Sequence, residues 1–219
     1  FTFLFTLFFL CSLGVINAQD GMSFSESDLS NLQNTNNSTN DNLTRSVTQN
    51  QQRAGTSSYT DRATFQGACS TLPFEDFTGG PGPGGIITCD FISSLGSPCY
   101  APGVVIPGFT VTASTTGTAG IAAVGIGFTT NTSDAVGANF FIEYTIITFT
   151  NPNVTHAGMD ILNISSADTS FRVYDAGGVL TDTFTLNNPS NTENFFGIIA
   201  DGPISRIEIE GAGNTAELI

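Results

Sequence analysis

The chain of 219 residues carries 19 acidic residues against five Lys and Arg, which gives a formal net charge of −14. A nucleic-acid site needs clustered cations to neutralise phosphates, and adsorption to an anionic membrane needs them as well. The composition therefore excludes nucleic acids and anionic lipid surfaces as partners.

The N-terminal segment FTFLFTLFFLCSLGVINA is an almost unbroken apolar run. It is shorter than the roughly 20 residues of a membrane span, and it ends in a small residue, Ala18, that suits signal-peptidase cleavage. We predict a signal peptide over residues 1–18 and a secreted or cell-surface protein. The alternative is an N-terminal anchor that is never cleaved, and no later segment predicts a transmembrane span.

Residues 19–63 are dominated by Ser, Thr, Asn and Gln, with few aromatic or branched aliphatic side chains. Such a segment cannot bury enough apolar surface to offset the entropy lost on ordering. It is predicted to be a disordered linker, followed by one domain over residues 64–219 that is truncated at its C-terminus.

From Thr64 onward, short runs rich in Val, Ile, Phe and Thr alternate with Gly, Pro, Asn and Asp. This pattern is typical of an all-β protein, and it predicts a two-sheet antiparallel β-sandwich without an amphipathic helix. The predicted strands cover residues 72–77, 86–91, 105–113, 121–128, 139–150, 154–163, 171–175, 179–186, 194–200 and 204–210, and a further strand begins at AELI.

Three features of these strands carry additional detail. FRVYD and VLTDTFTL are separated by Ala-Gly-Gly, which predicts a hairpin because glycine adopts positive φ readily. In NFFIEYTIITFT the apolar residues change face between Ile146 and Ile147, which predicts a β-bulge there. In ISRIEIE apolar and charged residues alternate, which predicts a strand with one buried face and one solvent-exposed face.

The loop GPGPGG at residues 80–85 matches the dinucleotide fingerprint G-x-G-x-x-G. That fingerprint requires a helix to follow the loop, whereas here a predicted strand follows. We interpret the loop as a flexible connection and expect no nucleotide site.

No catalytic residue is predicted. His156 is the single histidine, and no G-x-S-x-G or H-E-x-x-H motif is present. The sequence also contains no Trp, so it has few aromatic side chains that could line the cleft of a glycosidase. His156 is expected to face solvent.

We predict that some of the acidic residues bind a structural calcium ion, because calcium takes oxygen ligands from carboxylates and amides. Glu75 and Asp76 in the first predicted strand and Glu217 in the last form one candidate set. A second candidate set lies in the loop TTNTSDAVGAN, and it consists of Asn131, Asp134 and Asn139. Ordinary solvated acids and turn residues are the alternative for both.

Sugar binding usually depends on exposed aromatic rings. Tyr174 lies opposite Phe171 and Val173 on its strand and is therefore expected to face outward, and Tyr100 is a second, weaker candidate. An outward tyrosine that only reflects strand propensity is the alternative.

The cysteines after the signal segment are Cys69, Cys89 and Cys99. A zinc site would need every Cys and His that the chain offers, and a catalytic thiol would need a nearby histidine. In an oxidising compartment we predict a disulfide between Cys89 and Cys99, although Cys69 could take the place of either.

The segments VYDAGG, FFGIIAD and ISRIEIEGA, together with LPFEDF and CYAPGVVIPGF, make the chain similar to uncharacterised exported bacterial β-sandwich domains. It resembles the jelly-roll domains of PEP-CTERM-type surface proteins and, more distantly, carbohydrate-binding modules. The resemblance implies a jelly-roll fold and an exported location, and it implies no catalytic residues.

We therefore expect an exported, non-catalytic surface or extracellular binding module, with glycan as its partner. The alternatives are a structural or adhesive surface protein without a small-molecule site, and a small polysaccharide-active hydrolase or lyase.

Overall fold

The structure is a computed structural model that describes residues 55–69, 72–115, 120–164, 167–189, 191–213 and 217–219. All of them belong to the second of two compact units of the chain, Gln52–Ile219. The predicted signal peptide and the predicted linker up to residue 54 lie outside the described residues.

The described residues form thirteen strands and one helix. In chain order these are β1 Thr56–Tyr59, α1 Arg62–Ala68, β2 Ile86–Cys89, β3 Phe91–Ser93, β4 Phe109–Ala113, β5 Ile121–Val124, β6 Ala135–Ala138, β7 Thr145–Phe149, β8 His156–Asn163, β9 Ala167–Asp175, β10 Leu180–Asn188, β11 Glu193–Ala200, β12 Ile204–Gly211 and β13 Glu217–Leu218.

The strands form three antiparallel sheets, which confirms the all-β prediction. A six-stranded sheet has the order β10-β9-β12-β7-β4-β3, a four-stranded sheet has the order β1-β11-β8-β13, and a three-stranded sheet has the order β2-β5-β6. Ile219 exchanges two backbone hydrogen bonds with Val136 of β6, so the end of the chain links the two smaller sheets.

The arrangement is sandwich-like because the core lies between the six-stranded sheet and the two smaller ones. Phe171 of β9 stacks on Phe196 of β11 with 3.7 Å between ring centroids, and Ile207 and Ile161 are fully buried in the same cluster. A second cluster joins β3 and β4 to the three-stranded sheet and includes the Cys89–Cys99 bridge.

The residues just before Thr64 are ordered, in contrast to the predicted linker. Strand β1 pairs with β11, and α1 begins at Arg62 after its N-cap Asp61, whose side chain accepts a hydrogen bond from the Thr64 amide. The ordered unit therefore begins by residue 55. Helix α1 has a single buried residue, Phe65, so it has no apolar periodicity from which to predict it.

Phe65 is the residue that holds α1 on the four-stranded sheet. It lies over Gly158 and Gly197, which are directly paired across β8 and β11, and it contacts Phe195 with 5.4 Å between ring centroids. Glycines at these two positions leave the space that the ring fills.

Two strand predictions were wrong. Residues 72–77 form no strand, since the Glu75 carboxylate instead accepts the backbone N–H groups of Phe77 and Ile106 and holds an irregular segment. Residues 139–144 form a turn, so β7 starts only at Thr145 and pairs in unbroken register, without a bulge at Ile146 and Ile147.

The hairpin prediction is confirmed. Strands β9 and β10 pair antiparallel, and the Gly178 amide donates to the Asp175 carbonyl in the connecting turn, where Gly178 has a φ of 76°. The GPGPGG loop is followed by β2, as expected, and it is tied to the β5–β6 loop through hydrogen bonds such as that from Gly84 to Ile126.

Within the described part of the chain, no helix has the length and apolar character that a membrane crossing requires.

Candidate functional site: the polar face of the six-stranded sheet

A cluster of aromatic and charged side chains lies on the side of the six-stranded sheet that faces away from the core. The alternation of β12 explains it, because Ile207 and Ile209 are fully buried while their neighbours point outward. We call this cluster the polar face; it consists of Tyr144, Arg172, Tyr174, Arg206, Glu208 and Glu210.

The register of the strands brings these residues together. Arg206 lies opposite Tyr174 of β9 on one side, and Glu208 lies opposite Arg172. On the other side of β12, Glu208 lies opposite Ile146 of β7. Side chains that lie opposite each other on one face of an antiparallel pair interact directly.

Glu208 is the centre of the polar face. It is only 5% exposed, and one of its oxygens, Oε2, accepts hydrogen bonds from Arg172 Nε and from the Tyr174 hydroxyl, each at 2.8 Å. Its other oxygen lies 3.0 Å from Arg206 Nε. Two hydrogen-bond donors and the nearby charge of Arg206 therefore compensate a carboxylate that would be costly to bury alone, although Arg206 Nε itself makes no hydrogen bond among the described residues.

Arg172 joins the two carboxylates of β12. Its Nε donates to Glu208, and its terminal nitrogen lies 2.5 Å from Glu210 Oε2. Partial burial acts to lower the pKa of Arg172, but the hydrogen bonds and charges of Glu210 and Glu208 outweigh it and raise the pKa above its ordinary value. The arginine is therefore permanently charged.

Each of the two tyrosines is paired with an arginine. The guanidinium of Arg206 lies 3.8 Å from the centroid of the Tyr174 ring, and that of Arg172 lies 4.6 Å from the Tyr144 ring. Both distances are in the range of cation–π contacts, which hold the planar groups in place. The ring of Tyr174 is thus partly covered and does not form an open stacking surface.

Exposed threonines border the polar face. Thr148 lies opposite Arg206, and Thr183 of β10 lies opposite Arg172, so hydroxyl groups stand beside both guanidinium groups. The resulting surface presents donors and acceptors across four adjacent strands, β10, β9, β12 and β7.

A cavity of about 200 Å³ opens where β7 ends and β12 begins. Its walls come from the turn after β7, from the β9–β10 turn and from the start of β12. We call it the end cavity; it is lined by Phe149, Thr150, Asn151, Pro152, Ala176, Ile204 and Ser205.

The two predicted sugar-contacting tyrosines are placed very differently. Tyr174 is part of the polar face, whereas Tyr100 is 2% exposed and packs against Phe77 in the core. The hydroxyl of Tyr100 has no hydrogen-bond partner among the described residues, and burial, with the nearby charges of Asp134 and Glu75, raises its pKa. A buried ring is not offered to a ligand at the surface.

The first calcium set does not form a cluster. Both oxygens of Glu75 accept backbone hydrogen bonds, Asp76 accepts one from the Thr78 amide, and Glu217 lies in β13 opposite Asn163. The hydrogen bonds from Thr78 lower the pKa of Asp76. The described residues contain no group of three or more His, Cys, Asp or Glu side chains that could hold a metal ion.

The second calcium set braces the loop between β5 and β6. Asn131 is buried, donates to the carbonyls of Gly125 and Ser133, and accepts from the Thr129 amide at 3.0 Å. The Asp134 carboxylate accepts from the Ile126 amide. Asn139 lies apart, at the start of the turn before β7, where its amide donates to the Gly120 carbonyl. Calcium binding stays a prediction.

The disulfide between Cys89 and Cys99 is confirmed, with 5.8 Å between the two Cα atoms. Cys89 ends β2, which pairs in the three-stranded sheet, and β3 of the six-stranded sheet begins two residues later at Phe91. The bridge therefore lies where the chain crosses from one sheet to the other. Cys69 is a buried thiol that donates to the Phe65 carbonyl.

His156 is half-buried in β8, where its Nδ1 lies 2.7 Å from the Thr155 hydroxyl. Burial lowers its pKa. It belongs to the four-stranded sheet and so is remote in the strand order from the polar face.

Apart from Tyr174, the members of the polar face were missed as site residues. The alternation in ISRIEIE and FRVYD was the available signal, since it places Arg172, Tyr174, Arg206 and Glu208 on the outward side of their strands. Which strand lies beside which could not be read from that alternation.

Comparisons of the chain with protein-family models, with curated proteins and with solved structures gave no match. The functional interpretation consequently rests on the chemistry of this chain alone.

Proposed function

We propose that the chain is an exported, non-catalytic binding module of a cell surface or the extracellular space, built on a jelly-roll-type sandwich, and that its ligand is a glycan. The observation that carries the proposal is the polar face, in which planar donors and acceptors are already held in place by one another.

The polar face suits hydroxyl-rich ligands. The charges of Arg172 and Arg206 are balanced by those of Glu208 and Glu210, so the cluster as a whole favours neither an anion nor a cation. Guanidinium and carboxylate groups each make paired hydrogen bonds, and adjacent sugar hydroxyls can accept from one and donate to the other. Fixing these groups beforehand reduces the entropy lost on binding.

The same contacts argue against glycoside hydrolysis. A glycosidase needs one of its two carboxyl groups to carry a proton that it gives to the leaving group. Glu208 accepts from Arg172 and Tyr174, and Glu210 accepts from Arg172, so both carboxyl groups serve as hydrogen-bond acceptors for donors of the protein itself. This supports a binding module over a hydrolase at the polar face.

The test is a glycan array with the purified chain, repeated in calcium and in chelator, followed by calorimetry on any ligand found. We expect Arg206→Gln to weaken binding by about 10- to 100-fold, because a charge-assisted hydrogen bond contributes roughly 1.5–3 kcal/mol. A matched control is Arg62→Gln, since Arg62 also pairs with an acid, Asp160, and lies over an aromatic ring, Phe195, but on the four-stranded sheet.

An array without any bound glycan in either condition would remove the proposal and leave the structural or adhesive alternative. Equal losses in Arg206→Gln and Arg62→Gln would show that the polar face is not the binding surface. Thermal melting in the same two conditions tests calcium separately, and an unchanged midpoint would remove the calcium prediction.

A further inference from the structure

The outward side of the six-stranded sheet continues from the polar face to the edge strand β3. Glu208 of β12 lies opposite Ile146 of β7. Ile146 in turn lies opposite Thr112 of β4, and Thr112 lies opposite Phe91 of β3. Residues that lie directly opposite each other in antiparallel strands point to the same face of the sheet. Phe91 and Glu208 therefore belong to one surface.

The same line extends in the other direction to the opposite edge of the sheet. Glu208 lies opposite Arg172 of β9, and Arg172 lies opposite Thr183 of β10. A single line of paired residues thus crosses all six strands. We call it the cross-strand row; it consists of Thr183, Arg172, Glu208, Ile146, Thr112 and Phe91.

Phe91 is the open aromatic ring of the row. It is 41% exposed, and its neighbour Ile92 is fully buried, so its side chain points away from the core. It is the only exposed aromatic residue in the described strands of this sheet. The ring of Tyr174 is partly covered by Arg206, whereas Phe91 forms no cation–π contact within the described part of the chain. Phe91 therefore offers the stacking surface that Tyr174 does not.

The distance between Phe91 and Glu208 limits the ligands that can contact both. Two strands, β4 and β7, lie between β3 and β12. At about 4.8 Å per strand spacing the two residues are about 14 Å apart, and the whole row is about 24 Å long. A single sugar bound to the polar face cannot reach Phe91, whereas an oligosaccharide that lies across the strands can.

The surface between the polar face and Phe91 carries hydroxyl and apolar groups. Thr112 and Ile146 of the row are half-buried there. Beside them, Thr110 lies opposite Thr148, which lies opposite Arg206. The four residues between the polar face and Phe91 are uncharged, and the net charge of −14 on the chain repels polyanions. The surface therefore favours an uncharged glycan over an anionic one.

We propose that the cross-strand row binds an uncharged linear polysaccharide, which lies across the strands and packs one of its sugars on the ring of Phe91. The proposal rests on the glycan-binding function proposed above and names the class of its ligand. Arg172 and Glu208 orient one sugar by hydrogen bonds at the polar face. Phe91 contacts another sugar and thereby selects for chain length.

The contribution of Phe91 follows from the exposed part of its ring. One face of a pyranose ring carries C–H groups, and covering an aromatic ring with them removes apolar surface from water. With 41% of a side chain of about 200 Å² exposed, about 80 Å² is available at Phe91. Covering most of that area corresponds to a roughly tenfold gain in affinity.

The experiment is calorimetry of the purified chain with oligosaccharides of cellulose, chitin, xylan, mannan and amylose, each from the monosaccharide to the hexasaccharide. In a series that binds, we expect the affinity to rise once the oligosaccharide is long enough to extend from Glu208 to Phe91. Alginate and hyaluronan are the anionic counterparts, and they should bind more weakly than the uncharged chains.

The variant Phe91→Ala should weaken binding of the long oligosaccharides about tenfold and leave any binding of the monosaccharide unchanged. Arg206→Gln should weaken short and long ligands alike, because both contact the polar face. The matched control is Phe128→Ala, since Phe128 is 39% exposed but lies in the loop between β5 and β6, and it should change neither.

Two further variants separate the ring of Phe91 from its packing. Phe91→Tyr keeps the ring and should bind like the wild type. Circular dichroism checks that Phe91→Ala folds. If it does not, Phe91→Leu replaces it, because leucine keeps apolar contacts with the sheet but lacks the flat ring, and the same loss is expected.

Different results would remove the two proposals. If no oligosaccharide and no glycan on the array binds, the glycan function itself is wrong. If a glycan binds but its affinity does not increase with chain length, the polar face is a site for a single sugar and only the cross-strand row is refuted. The row is also refuted if Phe91→Ala weakens binding no more than Phe128→Ala does, or if alginate binds more tightly than the uncharged chains.

Discussion

Replacement of Phe65 by alanine is the sharpest test of how helix α1 is attached to the four-stranded sheet. The ring is 3% exposed, lies over Gly158 and Gly197, and contacts Phe195. Removal of a buried phenylalanine costs about 3–5 kcal/mol, and we expect about 3 kcal/mol because this ring packs against the sheet on one side only.

The paired change is Gly197→Ala. A Cβ atom there would lie 2.7 Å from Phe65 Cδ2 and 2.9 Å from Phe195 Cε1, so the ring must shift. Overpacking of this kind costs about 1–3 kcal/mol. In the Phe65→Ala background the first clash is gone, so Gly197→Ala should cost about 1 kcal/mol less than it does in the wild type.

Urea unfolding of the wild type, both single variants and the double variant measures this coupling. Gly202→Ala is the control, since nothing lies within 4 Å of a Cβ at that position, and it should change the free energy of unfolding little. If the two single effects add to within about 0.5 kcal/mol in the double variant, Phe65 does not rest on Gly197 and the reasoning fails.

Three further predictions concern the core, the loop and the histidine. Cys89→Ser should lower the free energy of unfolding by about 2–3 kcal/mol, because it removes the disulfide that constrains the unfolded chain. Adding a reductant to the wild type should lower it by a similar amount. If the reductant has no effect, the disulfide does not stabilise the fold. Asn131→Ala should lower it by about 2 kcal/mol in urea unfolding because buried backbone groups lose their partners, and a neutral result would contradict the bracing role. Burial lowers the pKa of His156, so the unfolded chain binds its proton first as pH falls, and the free energy of unfolding should decrease below about pH 6.5. His156→Gln should remove that slope from melting curves between about pH 5 and pH 8, and an unchanged slope would assign it to other groups.

The sequence was most informative where a local rule decides the structure. The Ala-Gly-Gly connection predicted the β9–β10 hairpin, because positive φ in the turn is a local requirement that Gly178 meets. The alternation in ISRIEIE likewise predicted that Ile207 and Ile209 face the core. Both conclusions depend on residues that are neighbours in the chain.

The sequence was misleading where an apolar residue is not in the core. The run of Phe140, Phe141 and Ile142 looked like strand, and its offset from Ile147 looked like a bulge. In the structure the three residues form an exposed turn, and Thr145, Ile147 and Phe149 alternate regularly. The hydrophobic pattern cannot distinguish an exposed apolar turn from a buried strand, because both are apolar.

The candidate site could be predicted only in part. Tyr174 was identified from its outward position. Its partners Glu208 and Arg206 lie on β12, and the sequence does not show that β12 pairs with β9. Tyr100 was misjudged because its burial depends on Phe77, which is distant in the sequence, and the predicted disulfide at its neighbour Cys99 does not by itself show that the ring is enclosed.

The strand order also determines how the chain can fold. Among the described strands, only β3–β4, β5–β6 and β9–β10 pair with their neighbours in sequence, whereas β1 pairs with β11, where Thr56 lies opposite Ala200. Each distant pairing must close a long loop before its contacts form, so folding in about milliseconds to seconds is expected. A hairpin such as β9–β10 forms in about 1–10 μs and is the natural first step. We expect strand β1 and helix α1 to join late, because β1 pairs with a strand far away in the sequence, and until they do, Gly158 of β8 and Gly197 of β11 lack the cover of Phe65.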